Sequence, residues 1–259
     1  MGDFYKKNYE DFSLLVDLHR KYFINKPYLV GGSVRDYCSG FSFDSIRDFD
    51  ITTMSNDCVR LSILFASKKN KTFKMFKDKH VSMLDNLKNY DFSSNIVYSN
   101  VLGYVAENHP EKIKYGESFS RDFTIDSMHQ DFFSERVYDP TGMGLKDIQN
   151  KIIRTPCPPE ISLGNDERRV FRAIHLAVKM NFSIHEDIID YSKNIYAKKE
   201  DLDSDDFSKT SEINKAMLID PEKTFFYVKE MGLYKKIPLV GPYKDFIIRK
   251  DLLLDYMSE

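Results

Sequence analysis

Residues 28–53, YLVGGSVRDYCSGFSFDSIRDFDITT, read as strand, glycine turn, short helix, loop and strand. Tyr28, Leu29 and Val30 form an apolar run that stops at Gly31-Gly32, where two residues without side chains let the backbone turn tightly and approach a ligand. A helix is expected next, with Ser33 as its N-cap, Val34 and Tyr37 facing inward and Gly40 as the stop. Free N–H groups at such a helix start can take phosphate oxygens, and Arg35 sits one turn in as a clamp. In Asp48-Phe49-Asp50-Ile51-Thr52-Thr53 apolar and polar residues alternate, which predicts a strand with Asp48 and Asp50 on one face. Residues two apart on a strand are separated by roughly 6.5 Å of rise, and flexible carboxylates there can converge on ions about 4 Å apart. An isolated Asp-x-Asp equally describes a solvated strand face.

The glycine turn changes that weighting, because metal-binding carboxylates and a phosphate cradle in one supersecondary unit are the two halves of a nucleotidyl-transfer site. The rest of the chain sets the bounds. Its 259 residues allow one large or two modest domains, and a 42% hydrophobic composition is enough for a core. A net charge of -2 gives no global basic signature, so contact with nucleic acid must come from local patches. Cys38, Cys58 and Cys157 lie far apart with no C-x-x-C pair, which argues against a disulfide framework or structural zinc and fits a reducing compartment. HEDIID at 185–190 is not the H-E-x-x-H zinc pattern. The N-terminus lacks an apolar signal core and no run has the length to cross a membrane, so a soluble, cytoplasmic protein is expected.

Working outward, Phe12, Leu15, Leu18 and Tyr22 space an amphipathic helix over 8–23, and Val59, Ile63 and Ala66 mark the buried face of another over 56–67. The lysine-rich stretch KKNKTFKMFKDK, 68–79, suits an RNA backbone electrostatically, or a strand with its lysines in solvent. HVSML (80–84) and NIVY (95–98) are further strand candidates. Arg121-Asp122 precedes an apolar stripe of Phe123, Ile125 and Met128. Gly142 and Gly144 mark a turn before a last strand at Lys151–Arg154, and Thr155-Pro156-Cys157-Pro158-Pro159 reads as a linker. Beyond it the chain turns helical, over 166–180 and 184–196, with an exposed charged connection at 198–209. Asp220-Pro221 is expected as N-cap and first helical residue, with Phe225 and Val228 inward and Gly232 as the stop, and 245–257 as one more helix.

Four blocks carry a resemblance. GGSVRD (31–36) with RDFDITT (47–53), ESFSRDFTIDSM (117–128), VYDPTGMGLKDIQNKIIRT (137–155) and NDERRVFRAIHLAVKMNFSI (165–184) resemble, in order and spacing, the motifs of class II CCA-adding enzymes and bacterial-type poly(A) polymerases. These belong to the DNA polymerase beta nucleotidyltransferase superfamily. The resemblance implies an α+β fold: a nucleotidyltransferase head of mixed sheet and helices over 1–154, then an all-helical neck and shortened body over 155–259. It implies template-independent addition of nucleotides to an RNA 3′ end, CCA addition to tRNA first and A-only addition as the alternative. Asp48 and Asp50 would be the catalytic pair and hold two Mg²⁺ ions. Gly31, Gly32, Arg35, Arg121 and Asp122 would orient the nucleotide. Asp166 and Arg169, with Arg172 on the same row, would choose ATP and CTP by their base edges. A fixed carboxylate accepts from an exocyclic amine and an arginine donates to a ring nitrogen or carbonyl.

The chain also departs from the family. Ser120 replaces the first arginine of a pair, Asp126 stands for asparagine, Asn165 for glutamate and His175 for a later arginine. A non-catalytic nucleotide- or RNA-binding relative is therefore the alternative of another class. Family members continue into a tail that grips tRNA, so a smaller RNA, a partner or a homodimer is expected here.

Overall fold

The structure is a computed structural model that describes residues 8–41, 46–53, 55–76, 81–85, 88–93, 97–198 and 207–234. The chain divides into two compact units, 1–165 and 166–259. Among the described residues no helix is long and apolar enough to cross a membrane.

The first unit is built on a seven-stranded mixed sheet. Its strands are β1 (Tyr28–Val30), β2 (Asp48–Thr52), β3 (Lys74–Met75), β4 (Val81–Asp85), β5 (Lys88–Phe92), β6 (His129–Asp131) and β7 (Val137–Tyr138), in the order β3-β4-β5-β2-β1-β6-β7. β1 pairs antiparallel with both β2 and β6, placing Leu29 opposite Ile51 and Val30 opposite Asp50. β2 and β5 run parallel, with Asp50 beside Asp91. A parallel pair needs a crossover, here α3 (Asp57–Lys69) followed by β3 and β4. This is the α+β head expected from the sequence.

Packing follows from the alternation. Leu29, Phe49 and Ile51 are fully buried, Phe49 stacks on Tyr90 at 5.3 Å, and Phe65 from α3 meets the rings of Tyr90 and Phe92 at 5.3 and 5.7 Å. Helix α1 (Tyr9–Tyr22) closes the layer with Phe12, Leu15 and Leu18. Its Asp11 is buried and accepts from Lys69 at 2.6 Å, Lys88 at 2.8 Å and the Tyr90 hydroxyl at 2.5 Å, while Lys69 and Lys71 also pair with Asp85. Two of the lysines in 68–79 thus serve the fold. Burial works against the Asp11 charge, but Lys69, Lys88 and Tyr90 outweigh it and hold the carboxyl below its ordinary range. Asp11→Ala should therefore cost about 3 kcal/mol, since it leaves the buried Tyr90 hydroxyl and the partly covered Lys69 and Lys88 without this acceptor, measured by urea unfolding at pH 7. Because the folded value lies below the unfolded one, this stabilisation is present above about pH 4 and is lost as the pH falls further.

Several expectations are corrected. Gly31, not Ser33, occupies the N-cap of α2 (Gly32–Cys38), and the Ser33 hydroxyl donates back to the Val30 carbonyl at 3.1 Å. The buried face of α3 is Cys58, Leu61, Ser62, Phe65 and Ala66, with Ile63 40% exposed, because Leu61 and Phe65 offer the larger apolar stripe at the same spacing. The strand sought at NIVY lies earlier, at β5, where Tyr90 and Phe92 bury alternate positions; 95–96 fall outside the described residues. Residues 99–108 form helix α4 (Ser99–Asn108). Helix α5 is Gly116–Ser120, and Gly144, expected in a turn, instead opens helix α6 (Gly144–Asn150), whose first turn donates the Leu145 N–H to the Asp139 carboxylate at 3.1 Å. The proline-rich stretch expected as a linker is packed instead, with Cys157 buried beside Val101, Val105 and Phe119. The last strand is shortened to Ile152–Ile153, and α7 (Pro159–Asn165) lies in the first unit.

The second unit is largely helical: α8 (Arg168–Met180), α9 (Glu186–Ala197), α10 (Phe207–Ile219) and α11 (Pro221–Glu230). α10 covers the end of the stretch expected as a connection, and 199–206 and 245–257 lie outside the described residues. At α11 the Asp220 carboxylate accepts from the Lys223 N–H at 2.9 Å, Pro221 is the first helical residue, Phe225 and Val228 are buried and Gly232 turns at φ +73°, as the sequence predicts.

Candidate active site

β2 carries the carboxylates. With Phe49 and Ile51 turned into the core, Asp48 and Asp50 lie on the opposite face, Asp48 exposed and Asp50 partly covered. Asp50 faces the glycine turn, where the Gly32 N–H donates to its carboxylate. Gly31 adopts φ +68°, and a methyl group on it would lie 2.4 Å from Asp50 Oδ2 and 3.4 Å from Arg121 Nη1. The diglycine thus admits a carboxylate and a guanidinium against bare backbone.

Arg121 is held from behind. Its Nη2 donates to Glu117 Oε1 at 2.8 Å, and Glu117 Oε2 accepts from the Thr52 hydroxyl at 2.8 Å. Thr52 lies two residues beyond Asp50, so one strand anchors both the carboxylate and, through buried Glu117, the arginine facing it. Burial raises the Asp50 carboxyl to about 6; Asp91 and Asp126 add to the rise, while Arg121 and the Gly32 N–H oppose it. A carboxylate so disfavoured has room for a further cation.

Arg35, read from the sequence as a phosphate clamp, is instead buried in ion pairs, with Asp36 Oδ1 at 2.7 Å from Nη2 and Asp126 Oδ1 at 2.7 Å from Nη1. Burial works against its charge, but Asp126 and Asp36 outweigh it. Asp122 follows Arg121 at the edge of the group and is partly exposed. Ser120 is buried, its hydroxyl accepting from the Tyr98 N–H at 3.4 Å, and Asn165 exchanges amide hydrogen bonds with Asn100 at 3.1 Å.

Sequence reasoning missed Asp91, Glu117 and Thr52. Asp91 sits beside Asp50 in register, and the alternation of Tyr90 and Phe92 around it was its signal. Glu117 precedes Arg121 by one helical turn, a spacing that marks an ion pair. Among the described residues no three His, Cys, Asp or Glu side chains close into a cage for an ion. Asp48 and Asp50 nevertheless offer hard oxygen donors with open positions, the donor set Mg²⁺ uses when phosphates complete its shell.

The remaining candidates lie in the second unit. Asp166 Oδ1 accepts from the Arg168 backbone N–H at 3.0 Å and from Nε at 2.8 Å, and Oδ2 accepts from Arg168 Nη2 at 2.8 Å and Arg172 Nη2 at 3.0 Å. Burial pushes the Asp166 carboxyl up, but Arg168 and Arg172 outweigh it and leave it below the ordinary range. Asp166 pairs with these two arginines, and Arg169 is buried.

Comparison with known proteins gives the same direction. The family described as Poly A polymerase head domain matches residues 27–154. The tRNA nucleotidyltransferase cca1 of Schizosaccharomyces pombe is 39% identical over 95 residues, 35% of this chain and 19% of that protein. The CCA-adding enzyme of Staphylococcus epidermidis is 29% identical over 170 residues, 63% of this chain and 39% of that one. The crystal structure of the Bacillus stearothermophilus CCA-adding enzyme in complex with CTP superposes with a TM-score of 0.67 at 21% identity, covering 95% of this chain and 56% of that one. This chain spans well under two thirds of the length of each of these proteins.

Proposed function

We propose, on the match of residues 27–154 to the Poly A polymerase head domain family, that this chain is a metal-dependent nucleotidyltransferase that extends an RNA 3′ end without a template, adding CCA to tRNA. The observation that carries this reading is Asp50 held between the Gly31-Gly32 turn and Arg121, with Asp48 on the same face of the strand.

In the proposed reaction the RNA 3′-hydroxyl attacks the α-phosphate of a bound ATP or CTP and pyrophosphate leaves. Asp48 and Asp50 would hold Mg²⁺, which when bound lowers the hydroxyl's pKa and neutralises the triphosphate. The backbone of the Gly31-Gly32 turn would meet the phosphates, and Arg121, fixed by Glu117, would meet charge developing on them. With its carboxylate already oriented by Arg168 and Arg172, Asp166 would accept from the exocyclic amine of adenine or cytosine, and Arg169 would donate to the base. The names of the two tRNA nucleotidyltransferase and CCA-adding relatives support tRNA as the partner.

The test supplies Mg²⁺, single nucleotides and RNAs ending before C, CC and CCA. Incorporation of C and then A is expected. A run of A alone means polyadenylation, and no product from any of these RNAs with nucleotide and metal still bound means a binding relative without catalysis.

A further inference from the structure

Asp126 ends a single 3₁₀ turn, Thr124–Asp126, and its Oδ1 accepts from Arg35 Nη1 at 2.7 Å with both side chains largely buried. Asp36 is a second charged partner of that guanidinium, bound through Nε at 2.8 Å and Nη2 at 2.7 Å. Arg35 also lies against the turn itself: a methyl group on Gly32 would come within 3.2 Å of Nη2. A positive group this close to the phosphate cradle, but flanked by two carboxylates, has its field cancelled locally. Asp50 meets the same turn one residue earlier, its Oδ2 lying 2.4 Å from a methyl group placed on Gly31, so the Asp126–Arg35 pair stands beside that carboxylate. An anion in this place acts with opposite signs on the two ligands the site would take. It repels a triphosphate and attracts a divalent cation.

We propose that Asp126 is an affinity-setting residue of the nucleotide site: a carboxylate, pinned by Arg35, that weakens binding of bare nucleotide and strengthens binding of the metal at Asp48 and Asp50. The inference rests on the reading of the site given above and adds to it a residue that trades one ligand against the other. Nucleotide then binds well only as its metal complex, so a triphosphate without its cation is kept out. Asparagine at this position would keep an Oδ1 to accept from Arg35 while losing the charge, which separates electrostatics from the strut.

The experiment compares the full chain with Asp126→Asn and Asp126→Glu. Binding of ATP and CTP is measured in EDTA, and binding of Mg²⁺ or Mn²⁺ alone without nucleotide, with melting temperature as a check on folding. Asp126→Asn should bind bare nucleotide about three- to tenfold more tightly and the metal more weakly by a similar factor; Asp126→Glu, which keeps the charge, should move neither in that sense. Shifts of both ligands in the same direction, or of neither, overturn the role of Asp126. If the unaltered chain still extends RNA in that case, the reading of the site survives it. Failure of the unaltered chain to bind either nucleotide or metal overturns both.

Discussion

Asp50→Asn should abolish chain extension and at the same time make the metal-free protein harder to unfold. The loss of activity follows from the proposed metal site: a neutral amide in place of a carboxylate removes both a ligand and a charge, and about 10³-fold or more is expected, roughly 4 kcal/mol of transition-state stabilisation. The gain in stability follows from the fold. Burial, with Asp91 and Asp126 nearby, raises the Asp50 carboxyl from 3.8 to about 6 despite Arg121 and the Gly32 N–H. Between these values the folded state binds more protons than the unfolded one, so this group makes stability fall as the pH rises from about 4 to about 6, and the full penalty stands above that. It amounts to about 3 kcal/mol at most, less to the extent that the partly exposed side chain is solvated. Thermal unfolding of the two proteins in EDTA should give melting points close together near pH 4.5 and several degrees apart at pH 7.5, with Asp50→Asn the higher. Saturating Mg²⁺ should narrow the gap by binding the folded carboxylate alone. A variant no more stable than the parent at pH 7.5 would remove the strain assigned to Asp50. Retained extension would remove its catalytic role.

The same cluster separates what could be read in advance from what could not. The glycine turn, the alternation around Phe49 and Ile51 and the capped helix at Asp220-Pro221 are local signals, each fixed by residues within a few positions, and the structure follows them. Charge partners across the fold have no such local trace. Arg35 stands one turn from a phosphate cradle in the sequence, yet beside its neighbour Asp36 it pairs with Asp126, 91 positions away, and pairing decides whether a guanidinium is available to a ligand. Asp91 escaped for a different reason: β5 was sought at the more apolar NIVY, whereas KNYDF buries just Tyr90 and Phe92, and a half-polar strand beside another strand needs no more. The lysines of 68–79 teach the same lesson from the surface, since Lys69 and Lys71 reach Asp85, and Lys69 also Asp11, rather than standing in solvent as a stripe.

Gly31→Ala should damage the site more than any other single methyl group added to this turn. Two costs coincide there. At φ +68° and ψ -143° the backbone is in a region that side chains avoid, worth about 1–3 kcal/mol, and the new methyl would sit 2.4 Å from Asp50 Oδ2, a separation that forces the carboxylate to move. Moving it breaks the Gly32 N–H contact and the approach of Arg121 together, because both converge on that carboxylate. A displacement of about 1 Å in a reacting constellation costs roughly 10²-fold, so extension should fall by about that factor or more while the protein still folds with a lowered melting point. Gly40→Ala supplies the comparison. Gly40 has a similar φ of +75° but nothing within 4 Å of an added methyl, so it should lose about 1 kcal/mol of stability and keep its activity. Equal losses of activity in the two variants would mean that backbone strain alone governs the turn; a loss confined to Gly31→Ala ties function to the space this glycine leaves for Asp50.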